Sequence, residues 1–149
     1  MILRTIRPSE NAIVKQLIED GIKEHFGDEF DENYHLDLNT LCTDYNKEGC
    51  RFLVLLIDES IAATGGLQKV DSTTAEIKRV SVKKEFRNRH LGSAIIKSLE
   101  EYAVLYNYRK IILETKADWV EAKKFYAHNG YIEKYTSENG WTYFEKIIE

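Results

Sequence analysis

Apolar positions along the chain switch between two periods, and the switches mark its elements. Residues 2–7 alternate and predict a first strand. Pro8-Ser9-Glu10 opens a helix whose apolar residues, Ile13, Val14, Leu17, Ile18 and Ile22, recur at helical spacing. Residues 27–45 are acidic and less regular, with Asp28, Glu29, Asp31, Glu32, Asp37 and Asp44 set among Phe30, Tyr34, Leu36, Leu38 and Leu41. They predict a second short helix with a flexible approach. Residues 51–57 form a continuous apolar run, hence a buried strand. Asp58-Glu59-Ser60 turns into a third strand over 61–70, where Gly65-Gly66 predicts a bulge or a close backbone approach. Asp71-Ser72 turns into a fourth strand over 73–82. A helix over 91–107 puts Leu91, Ile95, Ile96, Leu99, Tyr102, Ala103 and Tyr106 on one face. A fifth strand covers 110–115, and a helix over 119–129 ends at Gly130. Two last strands, 131–135 and 141–147, flank the turn Glu138-Asn139-Gly140. Hairpins mixed with strand–helix crossovers predict an α/β domain with a mixed sheet.

The segment Val80-Ser81-Val82-Lys83-Lys84-Glu85-Phe86-Arg87-Asn88-Arg89-His90-Leu91-Gly92 carries the chemistry. A strand that feeds a helix through a loop aims several backbone N–H groups at one spot. The first-turn donors there are unpaired and the helix dipole is positive. Arg87 and Arg89 set full charges beside them, so the pattern predicts a phosphate or pyrophosphate site. The competing reading is two solvated surface arginines. A nucleotide-hydrolase loop is a poor alternative, because the Gly-Lys-Ser/Thr ending is missing.

Composition narrows the class. A chain of 149 residues suits one domain with one core. A net charge of -4 argues against a general nucleic-acid binder. No apolar run reaches the length of a membrane span and the N-terminus lacks a signal-peptide pattern, so no membrane partner is expected. Cys42 and Cys50 match neither a disulfide framework nor a metal motif and read as free thiols of a cytoplasmic protein. His25, His35 and His128 show no ligand spacing, so they read as surface or packing residues and no metal is expected.

Three segments, in this order, resemble the GNAT-type N-acetyltransferases. Arg87-Asn88-Arg89-His90-Leu91-Gly92 is similar to the family's acyl-CoA signature, an Arg or Gln, two residues, Gly, one residue, then Gly or Ala. Residues 75–82 resemble its fourth strand, and residues 122–131 its last helix and following strand. The chain departs from the pattern in three places: His90 replaces the first Gly, Lys84 stands where Pro is frequent, and Trp119 stands where an Asn often contacts the pantetheine arm. The resemblance implies the GNAT fold, a mixed and mostly antiparallel sheet of six to seven strands flanked by about four helices, with two central strands splayed apart.

What the resemblance implies for function is acetyl transfer from acetyl-CoA to a primary amine by direct attack. The amine would sit on a small molecule or a peptide, and the enzyme would be a monomer or homodimer. Backbone groups of Val80 and Val82, with Ser81 between them, would pair with pantetheine amides. Asn88, Arg89, His90, Leu91, Gly92 and Ser93, assisted by Arg87, would hold the pyrophosphate. Trp119 and Phe125 would complete the cofactor wall. Glu76 is the candidate base and Tyr126 the candidate acid, because a partly buried Glu can have a raised pKa and a Tyr stays protonated at neutral pH. An N–H near Val80 would polarise the thioester carbonyl. The competing readings are an exposed Glu76 paired with Lys78 or Arg79, and a Tyr126 that only packs. The acidic 28–37 segment, with Phe30 and Tyr34, would wall the acceptor site and favour a cationic amine. Two alternatives remain at this point: a protein Lys or N-terminal acetyltransferase, and a catalytically silent acyl-CoA-binding sensor.

Overall fold

The structure is a computed structural model and describes residues 1–148. Seven strands form one sheet: β1 (Ile2–Thr5), β2 (Arg51–Ile57), β3 (Ser60–Lys69), β4 (Thr74–Val82), β5 (Lys110–Lys116), β6 (Ile132–Thr136) and β7 (Trp141–Ile147). Their spatial order is β1-β2-β3-β4-β5-β7-β6, and every pair is antiparallel except β4–β5. The α-helices are α1 (Asn11–Phe26), α2 (Leu41–Tyr45), α3 (Leu91–Leu105) and α4 (Val120–His128). The mostly antiparallel sheet with about four helices is therefore as expected, with seven strands. The helix at 91 ends two residues earlier than periodicity predicts, and the first strand stops at Thr5.

Burial explains the two kinds of apolar pattern. Leu53 and Leu55 of β2 pack with Ile95, Ile96 and Leu99 of α3, whereas Phe52 and Val54 pack with Val14, Ile18 and Ile22 of α1. A strand covered on both faces has no polar side, hence its unbroken run. In β5 the pattern alternates, with Ile111, Leu113 and Thr115 buried against the α3 side. Ile112, Glu114 and Lys116 point to the opposite face. There α1 and α2 cover β2, β3 and β4, and among the described residues no helix packs extensively on β5 or β7.

The splay forms where β4 changes direction. Thr74, Ala75 and Glu76 pair with Lys110, Ile111 and Ile112, and the parallel ladder then stops although both strands continue. Within the same strand Lys78 pairs with Gly66 of β3 and Ser81 with Thr64, so Arg79 and Val80 both face Gly65. This is a β-bulge, with Arg79 in the left-handed region at φ 57°. The bulge expected at Gly65-Gly66 thus carries its extra residue on the partner strand. The glycines serve close approach: a Cβ on Gly65 would overlap Ile95 Cγ2 and come within 3.2 Å of Leu99 Cδ1.

Candidate active site

A cleft of about 830 Å³ opens where β4 and β5 part. Val80, Ser81 and Val82 form one wall, and Glu114, Thr115 and Lys116 form the other. The end of α1 and the start of α3 close it above and below, and Trp119, Phe125 and Tyr126 stand at the α4 side.

At the α3 end the backbone shows why a loop follows the strand. Asn88 and His90 both lie at positive φ, 64° and 60°, which turns successive N–H groups inward. The first intrahelical bond there runs from Ala94 N–H to the His90 carbonyl at 3.1 Å, so the Leu91, Gly92 and Ser93 N–H groups precede the helical ladder. A Cβ on Gly92 would meet the Phe125 ring at 3.0 Å, so a glycine lets α3 seat directly on α4.

The expected cofactor residues divide into two groups. Val80, Ser81, Val82, Arg87, Asn88, His90, Leu91, Gly92, Ser93, Trp119 and Phe125 all line the cleft. Arg89 is not among the lining residues; its guanidinium lies over the Phe86 ring at 5.5 Å. Arg87 lines the cleft but is engaged elsewhere. It donates to both carboxylate oxygens of Glu24 on α1, at 2.7 and 3.1 Å, and through Nε to the Val82 carbonyl at 3.1 Å. That bond holds the Glu24 carboxyl below the usual range.

Tyr126 lies among Phe125, Tyr131 and Phe144, and burial pushes its phenol up to about 12. A phenol raised in this way stays protonated at neutral pH. Its side chain also lines the cleft, and no buried side-chain oxygen among the described residues is left sealed without a partner. Glu76 is not among the cleft-lining side chains. It stands opposite Ile112, on the face shared with Glu114, with its side chain 20 % exposed and 3.9 Å from Lys78 Nζ. Burial raises its carboxyl; Lys78 works against that rise and Glu114 adds to it.

Other groups at the cleft gave no signal in the sequence pattern. His25 stacks on Trp119 at 4.4 Å and lies 3.2 Å from Asp118. Phe26 meets the same indole edge-on at 6.1 Å. Lys116 Nζ lies 5.9 Å from the Phe26 ring and 5.8 Å from the Trp141 ring, with which it is in register across β5–β7. Arg79 donates two bonds to Asp37 at 2.6 and 2.9 Å, and a third nitrogen lies 3.2 Å from His35 Nδ1. Guanidinium only donates, so Nδ1 accepts and the His35 proton sits on Nε2. Burial, reinforced by Arg79, pushes the His35 pKa down. His35 also stacks on Phe30 at 5.3 Å. The acidic wall is therefore partly neutralised: Asp37 is spent on Arg79, Asp31 accepts from the Asn33 N–H, and Tyr34 points to solvent at 80 % exposure. The clasp of Arg79 escapes sequence reading because its pairings with Asp37 and His35 span 42 and 44 positions of chain.

Similarity to known proteins runs along the chain. The family described as Acetyltransferase (GNAT) family matches residues 14–131. Among curated proteins, the N-acetylaspartate synthetase of Danio rerio is 27 % identical over 99 residues, which cover 65 % of this chain and 35 % of that protein. The Homo sapiens protein of the same name is 29 % identical over 99 residues, 65 % of this chain and 33 % of that protein. The chain thus matches about a third of the length of these relatives. An acetyltransferase of the GNAT family from Staphylococcus aureus Mu50 superposes with a TM-score of 0.89 at 20 % identity, over 99 % of both chains. The PaiA N-acetyltransferase from Thermoplasma acidophilum, in complex with coenzyme A, superposes with a TM-score of 0.85 at 15 % identity, over 98 % of both. Signature loop, parted strands and family match coincide on the same residues, and this chain belongs to the acetyltransferase (GNAT) family.

Proposed function

We propose that the chain acts as one acetyltransferase domain in the cytoplasm, moving an acetyl group from acetyl-CoA to a primary amine by direct attack in a ternary complex. The observation that carries this reading is the end of the β4–β5 ladder at Glu76, while β4 itself runs on to Val82 before it enters the basic loop. From there to Val82, β4 has no β5 partner, and an extended chain bearing amides can pair with it as a strand would. The pantetheine arm is such a chain. Its diphosphate would then meet the first-turn donors of α3, whose dipole favours anions.

Three tasks fall to named groups. The amine nitrogen attacks the thioester carbonyl carbon, and the Val80 N–H stabilises the charge that develops on oxygen. The ammonium proton leaves toward Glu76, directly or through water. The carbon–sulfur bond breaks and the thiolate takes the Tyr126 proton. Burial supports both assignments, since it makes the Glu76 carboxylate more basic and keeps the phenol protonated.

The acceptor that suits this site carries an anionic group beside its amine. Glu76 and Glu114 alternate with Lys78 and Lys116 on the sheet face opposite α3, so both signs of charge are presented within two strands. Asp37 contributes little free negative charge. Curated relatives are named for N-acetylaspartate, an acetylated amine that bears carboxylates.

A CoA-release assay tests both parts. Amino acids are expected to turn over, and their amide-capped forms and polyamines much less. Release with polyamines alone overturns the acceptor class and leaves acetyl transfer standing. Binding of acetyl-CoA without release from any amine would favour the silent sensor. Glu76→Gln and Tyr126→Phe are expected to lower kcat by about 10²-fold. In the wild type kcat/KM should rise with pH through the raised Glu76 pKa, and Glu76→Gln should flatten that limb.

A further inference from the structure

Arg79 stands at an improbable place. It is a non-glycine residue at φ 57° inside a strand, a conformation that costs L-residues free energy. Such a position persists only where surrounding bonds determine it. Four such bonds, to three partners, are present. Thr64 Oγ1 donates to the Arg79 carbonyl at 2.9 Å. The guanidinium clasps Asp37 with the planar two-point geometry that only arginine offers. A third nitrogen reaches His35. Asp37 and His35 both belong to the short helical segment Glu32–Asn39 between α1 and α2, and that segment also carries the exposed Tyr34 and Leu36.

The next residue is Val80, whose N–H is the proposed donor to the thioester oxygen. We propose that Arg79 is a positioning residue: its clasp on Asp37 locks the acceptor-side segment to the bulge and so fixes the direction of the Val80 N–H. This rests on the acetyl-transfer reading above. The clasp crosses from the 32–39 segment to the splayed strand, so acceptor binding and carbonyl polarisation share one joint. The α3 end of the cleft lies outside it, because the loop donors are set by the Asn88 and His90 backbone. Loss of the clasp should therefore damage acceptor use and turnover while leaving the hold on CoA.

Steady-state kinetics and calorimetry separate the roles. Asp37→Asn keeps shape and removes the charge. Arg79→Gly keeps the backbone permitted at this φ and removes the side chain. Both are expected to lower kcat by about 10-fold or more and to raise the acceptor KM, with the Kd for free CoA changed less than about threefold. Because the two residues act through each other, the double variant should be no worse than the worse single. Glu101→Gln, an exposed carboxylate on α3 away from the cleft, should leave kinetics unchanged. Full kcat in a folded Asp37→Asn or Arg79→Gly overturns the proposal. So does a loss of CoA affinity parallel to the loss of kcat, which would mark a general structural role. Absence of turnover in the wild type would instead overturn the acetyl-transfer reading.

Discussion

His90 shows how a single residue records the demands of a tight strand-to-helix loop. It lies at φ 60°, where the related signature has glycine, and makes no side-chain cap bond to α3. A left-handed L-residue costs about 1–2 kcal/mol, and glycine returns part of that gain through a freer unfolded chain. His90→Gly should therefore stabilise the protein by about 0.5 kcal/mol, a rise in Tm of about 1–2 °C by calorimetry. A fall in Tm would mean that the imidazole makes a compensating contact. The basic loop was legible from residue types alone, because strand, charges and helix start are adjacent in sequence. The partners of its arginines were not: Arg87 meets Glu24 from 63 positions away and Arg89 turns onto Phe86.

At the scale of elements, the α3–β3 contact decides the shape of the core. Gly65 and Gly66 weaken β3 as a strand, yet Gly65 lets Ile95 and Leu99 sit on its backbone and Gly66 does the same for the Tyr45 ring. Gly65→Ala places a methyl into Ile95, and overpacking of this kind costs about 1–3 kcal/mol. The Tm of Gly65→Ala should fall by roughly 2–12 °C, since about 1 kcal/mol moves Tm by 2–4 °C at this size. An unchanged Tm would show that α3 can withdraw. Strand and helix positions follow the hydrophobic period closely, and their ends deviate by a residue or two where capping replaces periodicity. The bulge was legible only as an anomaly at the glycines. Which strand carries the extra residue depends on register, which a single strand's sequence does not contain.

For the whole molecule, the Glu24–Arg87 pair joins α1 to the basic loop across the cleft mouth. In that arrangement a carboxylate stands beside the proposed diphosphate site, and one of its two arginines is neutralised. Glu24→Gln removes the negative charge and frees Arg87. Its Kd for acetyl-CoA should fall severalfold at low salt, with the difference shrinking as ionic strength rises past about 0.15 M. Equal affinities at all salt concentrations would place Arg87 outside the anion site.

By itself the sequence determined the elements, their order, the basic strand-to-helix loop and the family, because these rest on local periodicity and on contiguous motifs. Tertiary structure decided the β4 bulge, the parting of β4 from β5, and the pairing of Arg79 with Asp37 and of Arg87 with Glu24. Those features arise from strand register and from contacts between distant segments, which exist only once the chain has closed on itself.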